Sequence, residues 1–239
     1  MNTRIHESVR DEKGFTLVEL AIVMVIIGLL IGGILKGQEM IANAQVTATV
    51  AQIKGIDAAT STFRDQYDAF PGDMRNASTR LIDCATDPCN DGDGDSRINI
   101  NVGAAGDVDD EGAFFFNQLK AAELISGFDG SAVYNFGAAL PSASMGGGYM
   151  IGHAVTGTTL FTAGLLRPSH YLVLTGAAID VTTTSGIATA SQASRIDRKI
   201  DDGNSQTGSV VSQTACENGG VYDEIDVDLL CNIAIRIQG

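Results

Sequence analysis

The strongest constraint on this 239-residue chain is the stretch at residues 15–35, where Glu19 is the one ionisable side chain. At ~1.5 Å per helical residue, about 20 apolar residues match a hydrocarbon core of ~30 Å. The stretch therefore predicts a membrane-spanning helix with one carboxylate near its start. A short polar segment, residues 1–14, precedes it. There Arg4, Arg10 and Lys13 balance Glu7, Asp11 and Glu12.

An ordinary secretory signal is cut after its apolar core, beside small residues, and the core is discarded. Here a glycine stands before the core. Lys36-Gly37-Gln38-Glu39 follows it, with no Ala-x-Ala-like site. Gly14-Phe15-Thr16-Leu17-Val18-Glu19 is similar to the cleavage and methylation signature of the type IV pilin superfamily, which includes the pseudopilins of type II secretion. The resemblance is confined to the amino-terminal part of the chain, up to about residue 50.

The resemblance implies that a prepilin peptidase cuts between Gly14 and Phe15, making residues 1–14 a leader. It implies methylation of the new amino terminus at Phe15. It also implies that Glu19 meets the Phe15 amine of a neighbouring subunit during assembly. Elementary energetics agree, because a carboxylate at the centre of a membrane helix costs roughly 2.5–3.5 kcal/mol and an opposite charge offsets that cost. Two intrachain readings stand beside this one. The helix macrodipole favours an acid in the first turn, and Glu19 can pair with its own Phe15 amine at i, i+4 spacing.

The formal net charge is −14. The leader is neutral, so the chain from Phe15 onward keeps all of it. A surface that acidic repels phosphate backbones, which excludes generic nucleic-acid binding. Three basic residues precede the apolar stretch, and only Lys36 follows closely. The positive flank stays in the cytoplasm, so the carboxy-terminal body is exported; the resemblance implies that the membrane is a bacterial inner membrane and that the body reaches the periplasm or a surface filament. The cysteines fit that address. Cys84 and Cys89 form one close pair, Cys216 and Cys231 another, suggesting two disulfides in an oxidising compartment. Of the three pairings open to four cysteines, Cys84–Cys89 with Cys216–Cys231 needs the least folding. In pilins a similar carboxy-terminal disulfide bounds a surface region.

The helix should not stop with the apolar stretch. Residues 36–67 contain no proline, and Val46, Val50, Ile53, Ile56, Ala59, Phe63 and Tyr67 recur at steps of three or four. One helix over residues 15–66 follows, apolar all round in residues 15–35 and one-sided beyond. Gly28-x3-Gly32 and Gly33-x3-Gly37 suit close helix–helix approach. Phe70-Pro71-Gly72-Asp73 is a stop signal. The body then occupies residues 67–239. Helices are expected at 113–126 and 188–200, and strands at 149–151, 171–174, 179–181, 209–211 and 231–237. The fold expected is α+β: a long amino-terminal helix, its first half membrane-spanning, packed on an antiparallel β-sheet body of pilin type.

Residues 83–111 carry nine acids against one base, Arg97. Within them Asp91, Asp93 and Asp95 alternate with glycine and resemble the front of a calcium loop, where hard oxygen ligands converge on Ca2+. It is not an EF-hand, since Ser96 stands where that loop needs glycine and Val102 where it needs a bidentate glutamate. A calcium loop completed by backbone carbonyls or by residues 107–111 and a solvated acidic turn are the two readings. No Gly-x-Ser-x-Gly, His-Glu-x-x-His or dinucleotide fingerprint is present, so no enzyme is expected. His153 and His170 sit in apolar surroundings and read as structural.

The sequence thus leads to a structural subunit of a type IV pilus-like filament. Its partners would be copies of itself, related pilin subunits, the prepilin peptidase, an assembly platform and the inner membrane. A pseudopilin of a type II secretion system is the alternative within the superfamily. A membrane-tethered, adhesin-like surface-binding protein is the alternative outside it.

Overall fold

A computed structural model describes residues 14–154, 160–161, 164–179, 181–226 and 230–237. Apart from Gly14, the leader therefore lies outside the described residues, as does Asp180 of the strand expected at 179–181. The chain divides into two compact units, Met1–Asn43 and Ala44–Gly239. Helix α1 spans Leu17–Tyr67. It contains the candidate membrane span, a window in which no residue is buried.

In the unit from Ala44 on, α1 is one-sided, as its spacing dictates. Val46, Thr49, Val50, Ile53, Ile56, Ala59, Thr60 and Phe63 are its buried residues. This apolar face belongs to the same buried cluster as the sheet, as the one-sided spacing beyond residue 35 requires. Asp68 ends the helix. It adopts φ 53°, and its N–H donates to the Arg64 carbonyl at 2.9 Å, closing the last turn. Gly72 follows at φ +87°, and a Cβ there would stand 2.6 Å from the Glu111 carbonyl oxygen.

A four-residue helix, α2 (Ala77–Arg80), leads through the acidic loop to α3 (Glu111–Ala121). Helix α3 starts two residues before the expected 113 and stops five before 126. Glu123, at φ 59°, turns the chain before Gly127 can act as the stop. The main sheet is antiparallel, in the order β1 (Gly148–His153), β2 (His170–Thr175), β8 (Ile233–Arg236), β4 (Val210–Ser212). Residues of β1 and β2 face the core on nearly every position, consistent with their unbroken apolar runs. A second pair joins β3 (Ala188–Thr189) to β7 (Leu230–Cys231), and a hairpin joins β5 (Glu217–Asn218) to β6 (Val221–Tyr222).

Two strand expectations change. The run 231–237 is not one strand, because Asn232 breaks it into β7 and β8. Its buried amide Nδ2 donates to Gln213 Oε1 at 2.6 Å and to the Thr182 carbonyl at 2.9 Å. The stretch around Ile179 is not a strand either, and Ile179 is exposed. Helix α4 (Ala190–Ile200) begins two residues after the expected 188 because Thr189 caps it. Thr189 Oγ1 accepts from Gln192 N–H at 3.2 Å, and Gln192 Oε1 accepts from Thr189 N–H at 2.9 Å.

Disulfides join Cys84 to Cys89 and Cys216 to Cys231, with Cα separations of 4.6 and 5.7 Å. The second closes a loop with a sequence separation of 15, the first one of only 5. Loop-closure entropy assigns about 3 kcal/mol to the longer loop and about 2 kcal/mol to the shorter. Replacing Cys216 and Cys231 by serine should therefore lower the unfolding free energy by about 1 kcal/mol more than replacing Cys84 and Cys89. Denaturant titration of the full chain in detergent measures both. A larger loss from the Cys84/Cys89 pair would mean that packing around that bridge, and not loop length, sets its worth.

Candidate functional site

The amino-terminal motif lies just ahead of α1. Phe15 is exposed, and a Cβ on Gly14 would meet nothing within 4 Å. Among the described residues nothing requires glycine at 14. The same holds for Gly28, Gly32, Gly33 and Gly37. Glu19 is not idle. Its Oε2 accepts from the Thr16 backbone N–H at 2.8 Å and from Thr16 Oγ1 at 2.8 Å. In return the Glu19 N–H donates to Thr16 Oγ1 at 3.3 Å. This is a capping box that satisfies two of the donors orphaned at a helix start. Thr16 is thus a residue that the sequence reading passes over, although Thr16-x-x-Glu19 is its ordinary signature. Before cleavage the Phe15 nitrogen sits in a peptide bond, so the intrachain amine partner considered for Glu19 does not exist in the precursor.

In the body, Asp91, Asp93 and Asp95 do not form one set. Asp91 is committed to α2, with its Oδ1 accepting from Ser78 N–H at 2.7 Å and its Oδ2 from Ser78 Oγ at 2.9 Å. Asp95 Oδ1 accepts from Arg97 N–H at 2.8 Å. Among the described residues Asp93 instead meets Asp73 and Glu111, with ligand-type oxygens all within 4.8 Å of one another. Those three carboxylates form one of two acidic groups among the described residues whose geometry could hold a hard cation, the other being Asp197, Asp201 and Asp202, and of residues 107–111 only Glu111 belongs to the first.

The cluster is also complete without an ion, because backbone amides surround it. Asp73 Oδ1 and Oδ2 accept from Asp95 and Ser96 N–H, at 3.0 and 2.8 Å. Glu111 Oε1 and Oε2 accept from Asp93 and Asn99 N–H, both at 2.9 Å. Asp73 and Glu111 are 4% and 3% exposed, so the acidic loop is folded around carboxylates from its two flanks. Gly92 permits this closeness, since a Cβ there would stand 2.4 Å from the Gly72 carbonyl oxygen. Burial raises the Asp73 carboxyl above its usual range and lifts Glu111 to about 7.

Glu111 binds its proton more tightly folded than unfolded. Its contribution is fully present below its ordinary value of 4.5 and is lost as pH rises through about 7. Glu111→Ala should remove that dependence. It should also destabilise the chain by at least about 2 kcal/mol, because two backbone donors lose their acceptor. Denaturant titration between pH 5 and 8 reads both effects. Unchanged stability would mean that water replaces the carboxylate at no cost.

No curated protein and no solved structure matches the chain. Residues 9–35 match the family described as the prokaryotic N-terminal methylation motif, so the chain carries the prepilin motif of type IV pilins and pseudopilins.

Proposed function

We propose that this chain is a prepilin that becomes a structural subunit of a type IV pilus-like filament. Prepilin peptidase cuts between Gly14 and Phe15, and Phe15 is methylated at its new amino group. Until assembly the protein rests in the inner membrane with residues 1–14 in the cytoplasm and the body outside it. An assembly platform then extracts it into a filament of copies and related subunits.

The observation that carries this reading is the matched motif at residues 9–35, set on a helix whose candidate membrane window has no buried residue. Among the described residues that surface is uncovered. Lipid covers it first, and the helices of other subunits afterwards. Glu19 has a local partner in Thr16 from the start. Cleavage creates the Phe15 amine, and a neighbouring subunit's amine can then take over the carboxylate and offset its burial.

Two variants test separate steps. Gly14→Val should leave an uncut precursor in the membrane, and mass spectrometry of the purified chain reads its first residue and any methyl group. A Gly14→Val protein that begins at Phe15 would overturn the processing step. Glu19→Leu should still be cut and should insert more readily, yet reach filaments poorly. Fibre yield by electron microscopy is the measure, and wild-type yield would show that no neighbour needs the carboxylate. The same micrographs separate an extended surface pilus from a short periplasmic pseudopilus.

A further inference from the structure

We propose that His170 is an acid-operated latch, which in its neutral form holds Ile98 at the end of the β1–β2 pair and in its protonated form lets residues 97–101 go. His153 and His170 are directly opposed across β1 and β2, with ring centroids 5.0 Å apart in an edge arrangement. The His170 ring stacks on Phe70 at 4.0 Å, just beyond the end of α1. The Ile98 backbone N–H points at its Nε2 at 3.3 Å. A backbone N–H can only donate, so Nε2 carries no proton and the ring is neutral, with its hydrogen on Nδ1.

The surroundings oppose a second proton. Arg64 reaches the ring from α1, His153 faces it from β1, and the imidazole is largely buried. Together these hold His170 down at about 4, burial being the largest cause. On the loop side, Arg97 and Asp95 act on His153 in opposite senses. Asp65 and Asp68 are exposed on the same cavity, of about 630 Å³, that Arg64 and His170 line. Arg236 pairs with Tyr171, the next residue of β2. His153, 9% exposed, has an Nδ1 with no partner among the described residues.

Protonation turns Nε2 from acceptor into donor, facing another donor. The buried Ile98 N–H then has no partner, which disfavours the closed position of the segment. Its neighbouring ties are the Asn99 N–H to Glu111 and the Ile100 carbonyl to the His153 N–H at 2.8 Å. Opening would uncover Ile98 and Ile100, both buried in the closed state. Taken alone, a released imidazole near 6.5 and a latched one near 4 make opening about 100-fold more frequent at pH 4 than at pH 8, while Glu111, which accepts from Asn99 N–H in the same segment, works in the opposite sense over that range.

The test is amide hydrogen exchange at Ile98 in the 15N-labelled full chain in detergent micelles, corrected for the intrinsic pH dependence of exchange. His170→Gln, whose amide oxygen accepts without titrating, is the reference in which Glu111 still titrates. The ratio of Ile98 protection in the wild type to that in His170→Gln should fall about 100-fold from pH 8 to pH 4. In His153→Gln the fall should move to higher pH, because the neighbouring imidazole no longer opposes the proton. A ratio that stays constant between pH 8 and pH 4 would overturn the latch. Should His170→Gln not fold, side-chain 15N titration of wild-type His170 decides. Titration near 6.5 with Ile98 still protected would also overturn it.

Discussion

The first part of α1 is apolar on every side, and among the described residues its candidate membrane window has no buried residue. Apolar area left in water costs roughly 25 cal/mol per Å². Such a helix therefore cannot be an end state for an isolated chain in water. It needs lipid or other helices around it, and each of those environments tolerates charge poorly. That single requirement explains why Glu19 stands alone among residues 15–35, and why its carboxylate is taken up at once by the Thr16 N–H and hydroxyl.

The body solves the opposite problem. It has an excess of negative charge and must fold in spite of it. Part of the solution is to turn carboxylates inward onto backbone amides. Asp73 and Glu111 receive four N–H groups from the acidic loop between them, at residues 93, 95, 96 and 99. A loop rich in glycine offers many unpaired donors, and buried acceptors that collect them give it one conformation. The acidity of residues 83–111 is thus partly an internal scaffold and only partly a solvated surface.

What could be read from the sequence follows from how local each signal is. The span at 15–35 and the stripe from Val46 to Phe63 depend only on spacing along one helix, and both are found where the spacing puts them. The close cysteines needed little tertiary information, and they are bonded as near neighbours. The acidic loop was harder, because Asp73 and Glu111 lie 38 residues apart in sequence (111 − 73) and converge only after folding. Alternating aspartates along one loop look like a ligand set, but the pleat of the loop sends Asp91 to Ser78 and Asp95 to Arg97. The run 231–237 has ideal strand alternation, yet a buried Asn232 side chain bonding to Gln213 outweighs it. The capping box at Thr16 was local and legible, but the neighbouring motif draws attention to Glu19 alone.

Helix α1 therefore carries two kinds of information in one secondary structure. From Ala44 on, its apolar face is part of the buried cluster that defines the body, and changes there act on folding. Ahead of Ala44, its glycines meet nothing within the chain, and its large apolar residues are exposed. A side chain added at one of those glycines meets no other atom of the described residues, so any effect it has must come from what surrounds the helix, lipid or another chain. A helix built in this way is left unsatisfied in water until lipid or another helix covers its first part.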